Sequence, residues 1–249
     1  MKIAVAGGSG TAGRYAVAAA RQAGHDVVVL SRSEGVDVLT GEGLDDALAG
    51  AEVVIDALNS PSISKVKATE FFTRTTARLQ DAAAASGTRR LVTLSIVGLE
   101  RVPGYGYYEA KLAQEAQARR GPLPVTVLRA TQFHEFAGQI LARSRSGPVA
   151  LMPRARIQPV AAQTVGEALV AAASDPAEPD LVQLAGPEPA ELVDLARALV
   201  RRRGQRVAVL GLHVPGAAGR AMRGGAMLPD PRTPLAGPTF QEWLLGPDR

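Results

Sequence analysis

The 249-residue chain contains no cysteine, which excludes a disulfide framework, a thiolate metal site and a thiol nucleophile. Histidine is nearly as scarce: His25, His134 and His213 lie far apart, so no metal site is expected. Aromatic residues make up only 4% and do not interleave with basic ones, which argues against a nucleic-acid partner. No apolar run approaches the ~20 residues that a membrane-spanning helix needs, so no membrane partner is expected. No basic segment followed by an apolar stretch and a small-residue cleavage site opens the chain, and a cytoplasmic location is expected. Lysine is sparse too: Lys2, Lys65, Lys67 and Lys111 are all there are, so the net charge of +4 is carried by arginine. Arginine pairs well with phosphate, although it also replaces lysine wherever composition runs rich in Ala and Arg.

What the chain has is alternation. Short β-branched runs at 2–6, 27–30, 36–39, 52–57, 90–97 and 125–128 predict strands. Ala-rich or amphipathic stretches at 11–23, 64–86 and 107–119 predict helices between them. Such alternation with near-continuous apolar strands predicts an α/β fold, a doubly wound parallel sheet covered on both faces. Ligands in such sheets lie at the carboxyl ends of the strands. After about residue 147 the pattern loosens. Strands are expected at 157–160, 181–184 and 207–210, helices at 164–174 and 189–203, and a short helix near 240–245. Residues 1–249 therefore read as one domain, with about 148–249 an appended substrate-binding lobe. The apolar stripe of the 64–86 helix serves either the sheet or a second copy of the chain, which leaves a homodimer open.

The first strand runs into Gly7-Gly8-Ser9-Gly10-Thr11-Ala12-Gly13. Glycines at 7, 10 and 13 suit a tight turn, a close approach of backbone to a pyrophosphate, and close packing of the next helix on the sheet. The helix start then offers N–H groups to phosphate oxygens. The same glycines would also serve a plain turn, but the strand before and the helix after favour dinucleotide binding. Ser9, Thr11 and Asn59, the last just past the 52–57 strand, complete the expected cofactor contacts. The second strand ends in Ser31-Arg32, where an acidic residue would read the ribose 2′-OH of NAD. Arginine there favours NADP(H) over NAD(H), and Arg14 is a further basic residue near the turn.

The 90–97 strand delivers Ser95 near its carboxyl end. Tyr107 and Lys111 follow, four residues apart and so on one helix face. A phenol with a pKa near 10 is a poor proton donor and acceptor at neutral pH, and a nearby ammonium lowers that value. Tyr107 is the expected acid, with Tyr108 its competitor. Lys111 is the expected cofactor-holding and tuning residue, and Ser95 the group that polarises a small-molecule acceptor. A tyrosine–lysine pair on a helix surface with no catalytic use is the plainer alternative.

With Gly7-x-x-Gly10-x-x-Gly13, Ser31-Arg32, Leu94-Ser95 and Tyr107-x-x-x-Lys111, the chain resembles the atypical short-chain dehydrogenases/reductases of the NmrA-like NAD(P)-binding branch. The segment from Leu128 to Phe136 is similar to that branch's stretch bordering the nicotinamide and substrate pocket, and the closing Thr239–Leu244 resembles a common ending of bacterial members. The resemblance implies a Rossmann fold with a small C-terminal substrate lobe and NADP(H) as ligand. It implies either an oxidoreductase acting on a carbonyl or quinone-like acceptor, or a non-enzymatic redox sensor. An epimerase using bound NAD is disfavoured by Arg32. Phe133 and His134 are the expected substrate-pocket residues, with helix capping by His134 the alternative, and Tyr105 is expected to line or lid the pocket. The loop 222–227 is either a lid or a plain surface loop, and His25 is expected to be structural. The chain departs from its relatives at Thr40-Gly41-Glu42-Gly43, where Gly-Asp is common, and at Gln163-Thr164, where acids are common.

Overall fold

The computed structural model describes residues 1–175, 177 and 179–246. In chain order the elements are β1 (Lys2–Ala6), α1 (Gly13–Gln22), β2 (Asp26–Leu30), α2 (Leu44–Leu48), β3 (Val53–Asp56), α3 (Lys65–Ala85) and β4 (Arg90–Ile96). There follow α4 (Gly106–Arg120), β5 (Val125–Ala130), α5 (His134–Ser144), β6 (Arg145–Ser146), β7 (Val149–Pro153) and β8 (Arg156–Ile157). The last are α6 (Ala162–Ser174), β9 (Leu181–Leu184), β10 (Ala190–Glu191), α7 (Leu192–Arg202), β11 (Ala208–Leu212), α8 (Gly216–Arg223) and α9 (Phe240–Leu245).

A six-stranded parallel sheet in the order β2-β1-β3-β4-β5-β9, flanked by helices, forms the Rossmann-type α/β fold. β1 pairs with both β2 and β3, so the chain reverses its direction across the sheet beside β1. That reversal opens a crevice at the carboxyl ends of β1 and β3. Strands covered on both faces must be apolar throughout, and the burial of all four residues of Val53–Asp56 meets that rule except for one carboxylate. Leu30, Leu44, Leu48, Val54, Leu79 and Leu91 form the centre of one core layer.

The strand expected at 36–39 does not join the sheet. The Asp37 carboxylate accepts the Leu39 N–H at 2.8 Å, and the Asp37 carbonyl accepts the Gly41 N–H at 2.7 Å. These local bonds curl the segment into turns. Its apolar alternation still has a use, because Val36 and Val38 are buried in the core. At 157–160 only Ile157 lies in a strand, a two-residue pairing of β8 with β10.

The chain divides into two compact units. The first holds residues 1–95, 106–129 and 163–182, and the second 96–105, 130–162 and 183–249. The expected lobe at 148–249 is thus drawn differently: 163–182 returns to the first unit, while 96–105 and 130–147 join the second. α6 belongs to the first unit because it packs backbone to backbone on α1. A Cβ on Gly166 would lie 2.6 Å from the Ala16 nitrogen and the Tyr15 carbonyl carbon, so only glycine fits. The second unit has its own small sheet, β11-β7-β6, with α7 packed against β7 and β11. Thr239 and Glu242 cap α9 reciprocally, a capping box.

Candidate cofactor and active site

The site is built where β1, β2 and β3 of the first unit end. Gly7 has φ of +73°, and its carbonyl accepts the Gly10 N–H at 2.8 Å, which turns the chain sharply out of β1. A Cβ on Gly13 would sit 2.1 Å from the Gly7 oxygen, so α1 starts against the turn only because residue 13 has no side chain. At Gly10 the Gly7 oxygen, at 3.1 Å, is the one atom near the place of a Cβ, and Ser9 and Gly10 are exposed. No side chain caps the α1 start and no acid stands in its first turn. Thr11 is half-buried beside it. At the end of β2, Arg32 opens a single 3-10 turn with its side chain exposed, and the Ser31 and Ser33 hydroxyls are 2.9 Å apart. Arg14 turns to its neighbour, donating to the Tyr15 hydroxyl at 3.3 Å with its guanidinium over the ring.

The three residues expected to do the chemistry do not share one environment. Tyr107 is half-buried at the start of α4, and its hydroxyl donates to Asn59 Oδ1 at 2.5 Å. Its ring meets Phe72 edge-on at 5.8 Å. Tyr108, the competitor for the acid role, is buried, 3% exposed. Lys111 points inward: its Nζ donates to the Leu94 carbonyl at 2.7 Å and to Gln114 Oε1, and it lies 4.7 Å from the Phe72 ring centre. Gln114 in turn donates to the buried carboxylate of Asp56 at 2.9 Å. Burial pulls the Lys111 ammonium down to about 8, against the attraction of Asp56 and Glu115. Burial also pushes the Asp56 carboxyl up, against the charge of Lys111.

Ser95 is engaged as well. It is 2% exposed and donates to Glu115 Oε1 at 2.6 Å. Arg129 grips the same carboxylate from two nitrogens, at 2.8 and 2.7 Å. Burial alone would raise Glu115, but the hydrogen bonds from Arg129 and Ser95 and the Arg129 charge outweigh it and hold it below the ordinary carboxylate range. Ser95 and Lys111, expected as acceptor polariser and cofactor holder, both face inward here. Both side chains are spent inside the fold, one on a buried acid and the other on a buried carboxylate–amide pair.

In the second unit, His134 is fully buried with Nε2 3.1 Å from the Pro238 carbonyl, and its ring packs on Phe240 and Trp243. It neither lines a pocket nor caps α5; it anchors the C-terminal helix. Phe133 is half-buried, bridged to Val160 at the start of α5. Burial pushes the Tyr105 phenol up, tempered by the charge of Arg143. The loop 222–227 is fastened rather than lid-like: Arg101 donates to the Ala226 and Leu228 carbonyls and pairs with Asp230 at 3.0 Å. In the first unit His25 meets the Ser174 hydroxyl at 3.3 Å.

The NAD(P)H-binding family profile matches residues 7–176, more than half of the chain. The chain belongs to the NAD(P)H-binding family. No curated protein matches it. Among solved structures, it is similar to a short-chain dehydrogenase/reductase superfamily protein from Agrobacterium tumefaciens with bound NAD, at 19% identity, TM-score 0.70, covering 98% of this chain and 95% of that one. It is also similar to TunA, an NAD-dependent NDP-hexosamine 5,6-dehydratase of tunicamycin biosynthesis, at 15% identity, TM-score 0.72 and the same two coverages. A third is UDP-N-acetylglucosamine 4-epimerase from Bacillus cereus, at 19% identity, TM-score 0.63, covering 85% of this chain and 88% of that one. These likenesses establish the short-chain dehydrogenase/reductase fold.

As an NAD(P)H-binding protein, the chain has a turn that fits a dinucleotide. The exposed face of Gly10 and the uncapped, acid-free start of α1 suit a pyrophosphate. Sequence reasoning overlooked Asp56, Gln114, Glu115 and Arg129. Two signals were present: Asp56 is the one charged residue ending an apolar strand, and Glu115 stands four residues after Lys111 on the same helix stripe.

Proposed function

We propose that this NAD(P)H-binding protein is a cytoplasmic NADPH-dependent oxidoreductase that reduces a small carbonyl or quinone-like acceptor. The observation that carries the reading is Tyr107, a half-buried phenol whose hydroxyl reaches the residue three past the end of β3, on the strand next to the glycine turn. Gly7, Gly10 and Gly13 with Ser9 and Thr11 hold the pyrophosphate. Arg32 and Ser31 hold the 2′-phosphate. Reduced nicotinamide, when bound, supplies a hydride. Tyr107 gives its hydroxyl proton to the acceptor oxygen and regains one from water. One charge-assisted contact from Arg32 is worth about ten- to a hundredfold in affinity.

The inward-turned Ser95 and Lys111 favour a second reading, a sensor that binds NADP(H) without turnover and regulates a partner. Calorimetric titration with NADPH and with NADH, for the native protein and for Arg32→Ala, tests the cofactor. The expected result is NADPH binding that weakens to the NADH level in the variant; equal binding of both by the native protein refutes the preference. A panel of carbonyls and quinones, with Tyr107→Phe alongside, tests the chemistry. Tyr107→Phe is expected to slow turnover by about 10²–10⁴-fold. Tight binding with no turnover on any acceptor, together with retention of a partner in a pull-down, favours the sensor.

A further inference from the structure

Asn59 lies just beyond β3, whose last residue pairs with the last residue of β1. The segment between is fixed at both ends. The Asp56 carboxylate accepts the Leu58 N–H at 3.1 Å, and the Ala57 N–H donates to the Ala6 carbonyl at 2.9 Å. The Asn59 amide is thereby presented at the carboxyl edge of the sheet, where it accepts the Tyr107 proton. No serine or lysine takes part in this contact. Ser95 is held by Glu115, and Lys111 lies beneath the Phe72 ring with Gln114.

We propose that Asn59 is the positioning residue for Tyr107, fixing the direction of its hydroxyl and keeping the proton on it until an acceptor arrives. The proposal rests on the reading of Tyr107 as the proton donor, and it assigns the donor a neutral amide partner. An accepting amide favours the protonated phenol, so Tyr107 works as a neutral acid. Aspartate at this position would accept but not donate. Charged groups on the elements around Tyr107 include Glu109 of α4, paired with Lys65 of α3 at 2.8 Å, Lys111 and Glu115 of α4, and Asp56 of β3. Their common background cancels when variants at residue 59 alone are compared.

The test is the ultraviolet titration of tyrosinate, taking the difference between each protein and its Tyr107→Phe counterpart to isolate one phenol. No acceptor or cofactor is needed. Asn59→Ala is expected to move the Tyr107 midpoint to lower pH by about half to one unit, the worth of one accepted hydrogen bond. Asn59→Asp is expected to move it the opposite way, because a carboxylate accepts more strongly and repels the phenolate. Shifts of one sign in both variants, or none in either, overturn the proposal; loss of structure does not generate opposite shifts. The acceptor panel adds a second arm. Asn59→Ala is expected to lower kcat with KM for NADPH unchanged, and to have no effect in the Tyr107→Phe background. A rise in KM for NADPH that persists in that background makes Asn59 a cofactor ligand only. If Tyr107→Phe retains full turnover while the opposite titration shifts stand, the proton-donor reading fails and the pairing survives.

Discussion

Replacing Lys111 by methionine separates an inward from an outward lysine. The side chain is 4% exposed, and its ammonium faces the Leu94 carbonyl, Gln114 and the field of Asp56, which is itself fully buried. Methionine fills much the same volume but leaves Asp56 without a counter-charge. Breaking a buried pair from one side costs about 3–5 kcal/mol, and a domain is held by only about 5–15 kcal/mol. Urea unfolding at neutral pH is therefore expected to show a loss of at least about a fifth of the native stability.

The pH dependence sharpens the expectation. Lys111 titrates at about 8 in the folded chain against its ordinary 10.5. Between those values the unfolded chain holds the proton and the folded chain does not. Raising the pH through that window therefore stabilises the native protein, by up to about 3 kcal/mol. The methionine variant is expected to lack that rise. It is expected instead to regain stability on acidification, as Asp56, whose folded value is raised, takes up a proton. NADPH affinity should change by less than about threefold. A stability loss under about 1 kcal/mol together with a tenfold loss of NADPH affinity would place the ammonium on the cofactor and refute the inward geometry.

Two other perturbations follow from distances in the first unit. Gly13→Ala pushes a methyl to 2.1 Å from the Gly7 oxygen, so the turn must open. A loss of about 1–3 kcal/mol in urea unfolding and of NADPH binding by calorimetry is expected, and unchanged binding would show the turn to be uninvolved. Glu115→Gln leaves Arg129 without its bidentate partner and is expected to cost about 3 kcal/mol. Because Glu115 lies below its ordinary 4.5 in the folded chain, its contribution is present above that pH and fades as pH falls through the folded value. Thermal melts below pH 4.5 should therefore converge for the native protein and the variant; parallel curves would refute the linkage.

Much of the first unit was legible because its signals are local. Gly7 and Gly13 each meet a backbone need, and the apolar runs expected at 2–6, 27–30 and 52–57 supply β1, β2 and β3 of the sheet. The 36–39 run misled because period-two burial of Val36 and Val38 does not require strand pairing once Asp37 bonds its own neighbours. The chemistry was harder to read. The spacing of Tyr107 and Lys111 puts them on one helix stripe, but spacing does not say which way a long side chain turns. Lys111 follows the buried Asp56, and Ser95 follows Glu115, because an uncompensated buried carboxylate costs more than a lost surface contact. Those acids lie 55 residues before Lys111 and 20 residues after Ser95 along the chain, beyond any local motif. His134 misled in the same way, its partners Phe240 and Trp243 being about a hundred residues downstream.

Gly166 gives α1 a remote foundation. With no side chain there, α6 lies flush on the first turn of α1, so the height of the glycine turn above the sheet is set by a residue more than 150 positions away in sequence. The matched family span closes soon after α6 ends, at residue 176. That span works like an arch whose last stone bears on its first. Variants that tune nucleotide affinity should accordingly arise on α6 as readily as in the glycine turn.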